Sequence, residues 1–459
     1  MADDPLTGRR VLVCGVGVAG TSAARALLAH GAQVGLTARD EAPAVAGLVD
    51  AGARWLGPLD EAPRGTDLVV TSPGIRPAHP LLQNATARGV PVWGEVELAW
   101  RLRGSGAAPW LAVTGTNGKT TTVHMLCSML LAAGLRAAAV GNVGAPLIDA
   151  VVAELPYDVL AVELSSQQLH FAPSIRPAAG VLLNLAPDHL DWHGSLEAYE
   201  HAKAAVWAGG IAIGNADDPR VAAQLPADGI GFTLGSPAEG QLGVADDHLV
   251  SRAFGDDALV LAGVAQVRPA GAHNVADALA AAALARAHRV GADAITAGLR
   301  MFVPDPHRNA LVAVRGDVAW VDDSKATNPH AAQASMAAYP HVVWIAGGQL
   351  KGVAVDDLVL GASGRLRAAV LLGQDRASLA EALARHAPDV PVISVDSVDD
   401  GAMVEVVRAA AGLARPGDTV LLAPAAASYD MFSGFGARGD AFAAAVREMP
   451  DEPIAGGSA

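Results

Sequence analysis

The sequence contains few cysteines, no excess of positive charge and no long hydrophobic run. Its two cysteines among 459 residues, Cys14 and Cys127, cannot build a disulfide framework and favour a reducing compartment. The 32 basic residues against 47 acidic ones, a net charge of −15, argue against non-specific nucleic-acid binding, which requires a basic surface. No apolar run reaches the ~18 residues of a membrane span, and the acidic start Met1-Ala-Asp-Asp4 is unlike a signal peptide. We therefore predict a cytoplasmic protein without a membrane or nucleic-acid partner.

Apolar residues are abundant, at 51% of the chain, which is enough for several packed cores. Short Val/Leu-rich runs alternate with Ala-rich helical stretches in three blocks, a rhythm typical of α/β units with parallel sheets. A Gly-rich stretch at 101–109 marks one boundary and Pro304 lies near the second. We predict three domains: a Rossmann-like domain at 1–106, a central P-loop ATPase-like domain at 107–303 and a Rossmann-like domain at 304–459. The elements used below are strands at 10–14, 110–114, 159–162 and 180–185, and helices at 22–30, 123–131 and 196–207.

A glycine turn, Gly15-Val-Gly-Val-Ala-Gly20, follows the first predicted strand and precedes a helix, which is the context of a dinucleotide-binding fingerprint. The second strand ends near Thr37 and Arg39, without an acidic residue at its tip for the ribose hydroxyls of NAD. Arg39 favours a phosphate or another anion instead. A nucleotide or a nucleotide sugar therefore suits the turn better than NAD, while a glycine turn needed only for helix–strand packing stays an alternative.

A second glycine-containing loop follows the strand at 110–114 and opens a helix. Its glycines let backbone N–H groups turn toward a triphosphate, Lys119 can reach the β and γ oxygens, and Thr120 can ligate Mg²⁺. The generic phosphate loop has a glycine where this chain has Val113, so the loop is a shorter variant. Phosphate binding is predicted for Gly115, Thr116, Asn117, Gly118, Lys119, Thr120 and Thr121.

This loop resembles the ATP loop of the Mur ligase superfamily, the ATP-dependent amide-forming enzymes of peptidoglycan precursor synthesis, which has folylpolyglutamate synthases as relatives. Landmarks along nearly the whole chain resemble its D-glutamate-adding members: Ser72-Pro-Gly-Ile75, Gly141-Asn-Val-Gly144, Glu163-Leu-Ser-Ser-Gln-Gln-Leu169, Asp188-His-Leu-Asp191, Lys203, His273-Asn274, Pro306-His-Arg308, Asp322-Asp-Ser-Lys-Ala-Thr-Asn328 and Ser428 to Phe435. The Asp322–Asn328 stretch is the sharpest, because other Mur ligases carry a signature centred on histidine or tyrosine there. The resemblance implies ligation of D-glutamate to UDP-N-acetylmuramoyl-L-alanine through an acyl phosphate, with release of ADP and phosphate.

The expected cofactors are ATP and two Mg²⁺ ions. Glu163 follows an apolar run and so lies at the carboxyl end of a strand, where α/β sheets place ligands. The resemblance makes Glu163 a Mg²⁺ ligand beside Thr120 and His189 a ligand of a second Mg²⁺. It also makes Lys203 a lysine that the family carbamylates into a Mg²⁺-positioning anion. From the residues alone, His189 could equally be a capping or core histidine, and Lys203 an ordinary solvated lysine. With these roles, the resemblance implies a catalytic set of Lys119, His189, Lys203 and Lys325.

The resemblance also implies the remaining binding residues. Further ATP contacts are Asn274, Arg308 and Asp323, although Asn274 could be a plain helix N-cap. Nucleotide-sugar contacts are Gly17, Val18, Ala19, Thr37, Arg39, Ser72, Asn142, Ser165 and Gln168. Acceptor contacts are Thr327, Lys351, Ser428 and Phe435, with Lys325 supplying positive charge. Ala19, Gln167 and Ala426 depart from the residues common in the family, which leaves the fine shape of the substrate sites open. We expect a monomer whose domains close over the acyl phosphate to exclude water.

Three other functions compete with this prediction. An NAD-dependent oxidoreductase leaves the phosphate loop and the metal candidates without a role. A non-catalytic P-loop regulator does not need His189, Lys203 or Lys325. Another ligase of the superfamily, either a different Mur ligase or a folylpolyglutamate synthase, is the strongest alternative. That alternative does not explain the Asp322–Asn328 stretch. A folate enzyme, in addition, does not need the nucleotide-sugar domain at 1–106.

Overall fold

The computed structural model describes residues 6–104, 106–397 and 401–449. Its strands form three separate sheets of five, nine and six strands, flanked by helices. The α/β class that the sequence predicts is confirmed. By packing, the chain divides into two compact units, a first unit of Met1–Val267 with Val275–Phe302 and a second of Arg268–Asn274 with Val303–Ala459. Two of the three sheets thus lie in the first unit.

The first sheet is entirely parallel, in the order β3-β2-β1-β4-β5. Because β2 and β4 flank β1 on opposite sides, a crevice opens at the carboxyl end of β1, where such sheets bind ligands. The strands are β1 Arg10–Cys14, β2 Gln33–Thr37, β3 Arg54–Trp55, β4 Leu68–Thr71 and β5 Val92–Gly94; the helices are α1 Val18–Ala29, α2 Ala44–Asp50, α3 Pro80–Ala87 and α4 Glu95–Leu102.

The central sheet has the order β14-β13-β12-β11-β10-β9-β6-β8-β7. Its strands are β6 Trp110–Thr114, β7 Ala137–Gly141, β8 Val159–Glu163, β9 Ala179–Leu182, β10 Ile211–Asn215, β11 Ile230–Phe232, β12 Gln241–Ala245, β13 His248–Ser251 and β14 Leu259–Gly263. The helices are α5 Lys119–Ala132, α6 Leu147–Val151, α7 Ser166–His170, α8 Leu190–His193, α9 Leu196–Ala204, α10 Pro219–Ala222, α11 Ala272–Ala287 and α12 Ala292–Met301, with 3₁₀ turns at Ala205–Trp207 and Val264–Gln266. The first turn of α11 belongs to the second unit.

Strands β12, β13 and β14 are antiparallel, whereas the sequence pattern predicts parallel strands. The reason is a two-residue turn between β12 and β13, in which Asp246 and Asp247 both have positive φ, of 48° and 58°. That backbone conformation matches the twist of a tight hairpin, and aspartate tolerates it better than most residues do. The sheet therefore ends in a meander instead of a further crossover.

The third sheet has the order β15-β16-β20-β17-β18-β19, with only β15 antiparallel to its neighbour. Both faces are buried: Val321 and Trp344 face one core, and Trp320 and Ile345 face the other, as period-two alternation requires. The strands are β15 Ala310–Arg315, β16 Val318–Asp322, β17 Val342–Gly347, β18 Leu366–Leu372, β19 Val392–Ser394 and β20 Thr419–Leu422; the helices are α13 Pro329–Met336, α14 Asp356–Ala362, α15 Arg376–His386, α16 Ala402–Leu413 and α17 Phe435–Glu448, with a 3₁₀ turn at Ser363–Arg365.

Among the residues described, no helix combines the length and the apolar character needed to cross a lipid bilayer.

Candidate active site

The glycine turn after β1 is packed so tightly that its two outer glycines are required. A Cβ atom on Gly15, which has φ +93°, would lie 2.4 Å from Ser72 Oγ, and one on Gly20 would lie 1.9 Å from the carbonyl oxygen of Gly15. The Ser72 hydroxyl donates to that carbonyl at 3.3 Å. The predicted residue Ser72 therefore lies against the turn at the carboxyl end of neighbouring β4, which builds the crevice of the first sheet.

Five other residues predicted to bind the nucleotide sugar lie near the carboxyl ends of β1 and β2. Gly17 and Val18 are exposed at the start of α1, Ala19 is half-buried, and Arg39 is exposed just beyond β2. Thr37 is buried, and its hydroxyl donates to the carbonyl oxygen of Gly57 at 2.8 Å, so this side chain supports the neighbouring loop. Arg39 thus supplies a cation with access to solvent at the edge of the crevice.

The phosphate loop has the backbone shape that its glycines predict. Helix α5 begins at Lys119, four residues before the predicted start, because Gly118 caps it with a φ of +84°. A Cβ on Gly118 would lie 2.2 Å from a carboxylate oxygen of Asp277, and one on Gly115 would lie 2.9 Å from the Cβ of Leu183. The Lys119 ammonium donates to the carbonyl oxygens of Gly115 and Thr116, both at 3.0 Å. Lys119 therefore stabilises the folded loop through hydrogen bonds to two of the loop's own carbonyl groups.

Two residues that sequence reasoning missed support this loop. The Tyr199 hydroxyl lies 2.9 Å from the hydroxyl of Thr116. Asn184 accepts from the N–H of Asn117 at 2.8 Å and donates to its carbonyl oxygen at 3.1 Å. Strand β9 consequently ends at Leu182 and not at 185, since the chain turns there toward the loop.

Lys203 is buried, with only 2% of its surface exposed, so the alternative of a solvated lysine is wrong. Its amine donates to the carbonyl oxygen of Gly115 at 2.7 Å and lies 3.4 Å from the hydroxyl of Thr114. Burial, reinforced by the charge of Lys119, holds the pKa of Lys203 well below its usual value. A neutral amine, which carbamate formation requires, is thereby favoured.

Glu163 lies where β8 ends, beside the phosphate loop, because Val113 of β6 pairs with it across the sheet. Its side chain is 2% exposed. One carboxylate oxygen, Oε1, accepts from the amide nitrogen of Asn142 at 2.8 Å, whereas the buried Oε2 has no hydrogen-bond partner among the described residues. An ionised carboxylate is an acceptor only, so an unpaired buried oxygen fits a cation.

The predicted residues Ser165 and Gln168 bond to each other at the start of α7. The Ser165 hydroxyl accepts from the N–H of Gln168 at 3.2 Å, and the Gln168 side chain accepts from the N–H of Ser165 at 2.9 Å. This reciprocal capping box fixes the turn that follows Glu163. His193 Nε2, on the neighbouring α8, lies 2.9 Å from the hydroxyl of Ser166.

His189 is the N-cap residue of the short helix α8 and has a left-handed backbone conformation, with a φ of 51°. Its Nε2 lies 3.6 Å from a carboxylate oxygen of Asp188. Within residues 6–104, 106–397 and 401–449, no group of three or more His, Cys, Asp or Glu side chains is arranged to hold a metal ion. A Mg²⁺ site here would therefore combine few protein ligands with substrate oxygens, which is how Mg²⁺ usually binds at phosphate sites.

In the second unit, the predicted nucleotide contacts lie around the start of β15 and the end of β16. Burial raises the pKa of Asp323 to about 6, and its Oδ1 accepts from the N–H of Asn309 at 3.2 Å. Asn274 is the third residue of α11, and its side-chain nitrogen lies 3.0 Å from His273 Nε2, so the alternative of an N-cap is wrong. Burial, with the charge of Arg308, lowers the pKa of His273 to about 4.

The predicted acceptor residues lie in the same unit. The Lys325 ammonium lies 3.9 Å from the centre of the Phe435 ring, a cation–π contact. Lys351 is exposed in a left-handed turn with a φ of 54°, Ser428 is buried after β20, and Thr327 is half-buried.

Arg438, which sequence reasoning missed, holds this region together. Its buried guanidinium donates to the carbonyl oxygens of Ser324, Gly347 and Ala426 and to the Ser324 hydroxyl. That hydroxyl donates in turn to the carbonyl oxygen of Phe435 at 2.8 Å. Burial lowers the pKa of Arg438 to about 10. The side chain thus ties the ends of three strands to the segment that carries Phe435.

Three family models match successive parts of the chain: the MurD-like Mur ligase N-terminal domain at residues 9–94, the Mur ligase middle domain at 113–285 and the Mur ligase glutamate ligase domain at 307–426. A relative from Streptomyces coelicolor, named UDP-N-acetylmuramoylalanine–D-glutamate ligase, is 56% identical across 96% of this chain and 98% of its own. The chain belongs to the Mur ligase family. A Mycolicibacterium smegmatis relative of the same name is 50% identical over 96% of this chain and 97% of its own.

Solved structures of Mur ligases share the fold at low sequence identity. The UDP-N-acetylmuramate–alanine ligase of Thermotoga maritima matches with a TM-score of 0.57 at 17% identity, covering 96% of this chain and 99% of its own. A pseudomurein peptide ligase of Methanothermus fervidus matches with a TM-score of 0.57 at 18% identity, covering 96% and 100%. Together with the three successive family-model matches, this likeness confirms the α/β fold class with N-terminal, middle and C-terminal Mur ligase domains.

The positions of the lysines give information about the site that the sequence motifs do not. Among the 32 basic residues, lysine occurs at only four positions, and all four are predicted catalytic or binding residues: Lys119, Lys203, Lys325 and Lys351. Arginine supplies every other cation. Lysine differs from arginine in carrying a compact ammonium that can lose its proton on burial, the property that the predicted role of Lys203 requires.

Proposed function

We propose that this Mur ligase adds D-glutamate to UDP-N-acetylmuramoyl-L-alanine, with cleavage of ATP to ADP and phosphate. The observation that carries the proposal is the name UDP-N-acetylmuramoylalanine–D-glutamate ligase, shared by relatives that are 50–56% identical over nearly the whole chain. We place the reaction in the cytoplasm, where ATP is available, as a step of peptidoglycan precursor synthesis. The monomeric state stays a prediction.

The first chemical step would activate a carboxylate, which is a poor electrophile. The substrate carboxylate attacks the γ-phosphorus of ATP, and ADP leaves with the electron pair of the broken P–O bond. Lys119 and the backbone N–H groups of the phosphate loop would hold the phosphate oxygens where negative charge develops. Thr120, Glu163, His189 and a carbamylated Lys203 would hold Mg²⁺, which neutralises phosphate charge when it is bound. The unpaired Oε2 of Glu163 supports this assignment.

The second step would join an amine to the acyl phosphate. Arg308, Asp323 and Asn274 would hold ATP, while Thr327, Lys351, Ser428 and Phe435 would form the acceptor pocket beside Lys325. Two ammonium groups and two hydroxyls among these acceptor residues suit an acceptor that carries two carboxylates.

Acceptor specificity tests the proposal directly. With UDP-N-acetylmuramoyl-L-alanine, ATP and Mg²⁺, we expect phosphate release with D-glutamate and little with L-glutamate, glycine or diaminopimelate. A phosphate-release assay across this panel makes the measurement, and omission of the nucleotide sugar is the control. Equal turnover with a neutral amino acid would mean that the ligase has another acceptor.

The crevice of the first sheet supports a separate prediction for the nucleotide sugar. Arg39→Ala should raise KM for UDP-N-acetylmuramoyl-L-alanine by about 10- to 100-fold, since a charge-assisted contact contributes on the order of 1.5–3 kcal/mol. KM for ATP should stay nearly unchanged. Arg25→Ala, an equally exposed arginine on α1, is the matched control. An equal rise in KM for ATP would show that Arg39 does not belong to a nucleotide-sugar site.

A further inference from the structure

His307 and the buried Asp322 form a close pair. Neither side chain has a role in the reaction steps described above. His307 Nδ1 lies 2.6 Å from Asp322 Oδ2, and the Asp322 side chain is 3% exposed. The other oxygen of Asp322 accepts from the N–H of Ser324 at 2.9 Å. Because the carboxylate can only accept, the proton of neutral His307 lies on Nδ1, which leaves the lone pair on Nε2.

The surrounding backbone fixes the orientation of this ring. His307 has a positive φ of 64°, an uncommon conformation for a residue with a side chain. A Cβ on Gly439 of α17 would lie 2.1 Å from His307 Nδ1 and 2.7 Å from Asp322 Oδ2. Only glycine at 439 therefore allows the imidazole to reach Asp322.

The pair lies among residues predicted to bind the acceptor and the nucleotide. The His307 ring packs edge-on to Phe435 at 6.4 Å, and its carbonyl oxygen accepts from the N–H of Lys325 at 3.1 Å. Arg308 follows it directly in the chain. Asp440 is a second carboxylate near the ring: its side chain is 82% exposed and lies 3.7 Å from His307 Nε2.

Amide formation requires a proton acceptor, because an amino acid is an ammonium ion at neutral pH and has no electron pair for attack. We propose that His307 Nε2 is the general base that deprotonates the incoming amino group and that Asp322 is its positioning residue. This proposal rests on the proposed ligase function.

The ammonium gives one proton to His307 Nε2, and the freed electron pair forms the N–C bond to the acyl carbon. Collapse of the tetrahedral intermediate breaks the C–O bond, whose electron pair leaves with phosphate. The second proton of the attacking nitrogen also leaves on phosphate, and imidazolium then returns its proton to solvent.

The test compares two nucleophiles in wild-type and His307→Gln enzyme. Hydroxylamine is largely unprotonated at neutral pH and needs no base, whereas D-glutamate does. We expect His307→Gln to lower kcat with D-glutamate by about 10²–10⁴-fold, while hydroxamate formation from the acyl phosphate stays close to the wild-type rate. His341→Gln, an exposed histidine of the same unit, is the control and should match wild type on both.

A pH profile provides the second measurement. In His307→Gln the rate with D-glutamate should rise by about tenfold per pH unit above neutrality. Without the histidine, only D-glutamate whose amino group is already deprotonated in solution can attack, and that fraction rises with pH. Equal losses with both nucleophiles, or a variant profile parallel to wild type, would overturn the general-base role and leave His307 as a structural residue. Absence of D-glutamate-dependent phosphate release in the wild-type enzyme would instead contradict the proposed function.

Discussion

Replacing Lys203 by alanine should lower kcat by about 10- to 100-fold, the scale seen when groups that position a catalytic metal are lost. The side chain is buried against the phosphate loop, and its amine is bonded to the carbonyl oxygen of Gly115. Its lowered pKa favours the neutral amine, which reacts with carbon dioxide to give a carbamate anion. Lys203→Arg should be as inactive as the alanine variant, because a guanidinium keeps the positive charge.

Chemical rescue separates this account from a packing defect. Acetate should partly restore the alanine variant by placing a carboxylate in the vacated space, and it should not help the arginine variant. His201→Ala, an exposed change on the same helix, should be fully active. Wild-type turnover and metal dependence in Lys203→Arg would show that no carbamate acts there. Steady-state kinetics with and without acetate make the comparison.

Replacing Glu163 by glutamine should lower kcat by about 10²–10³-fold, the scale of a lost transition-state contact. Glutamine can still accept from Asn142, so the local fold is kept, but its amide lacks the anionic oxygen that Oε2 offers to a cation. The Mg²⁺ concentration for half-maximal activity should rise at the same time. Titration of activity against Mg²⁺ at saturating substrates is the measurement.

A surface carboxylate provides the control for this change. Glu154→Gln removes one negative charge from an exposed position of the same unit and should leave both kcat and the Mg²⁺ requirement unchanged. If Glu163→Gln loses activity without any shift in its Mg²⁺ requirement, the carboxylate is not a metal ligand.

The α/β fold class and the placement of two candidate site segments at the edge of a sheet can be predicted from the sequence, for local reasons. The phosphate loop follows an apolar strand and precedes a helix, and Glu163 stands at the end of another apolar run. Both therefore lie at the carboxyl edge of a sheet, because parallel strands end on the same side. The observed ends of strands and starts of helices differ from the predicted ones by a few residues where tertiary contacts determine them. Strand β9, for example, ends at Leu182 because Asn184 hydrogen-bonds to Asn117 of the phosphate loop.

The rest of the site depends on contacts between residues distant in sequence. Burial of Lys203 cannot be predicted from its helix alone, because it arises from packing against Gly115 and Tyr199. Arg438 likewise resembles any helical arginine until the strands it bonds are in place. The pairing of His307 with Asp322 joins residues 15 apart through a left-handed turn, which no periodic pattern signals.

Oxygen transfer tests the central claim, ATP-driven ligation through an acyl phosphate, most directly. The carboxylate of UDP-N-acetylmuramoyl-L-alanine is labelled with ¹⁸O, the enzyme is supplied with ATP, Mg²⁺ and D-glutamate, and the released phosphate is analysed by mass spectrometry. We predict one labelled oxygen in each phosphate, with one phosphate formed per amide. Unlabelled phosphate, or phosphate release that does not depend on both the nucleotide sugar and D-glutamate, would contradict the account.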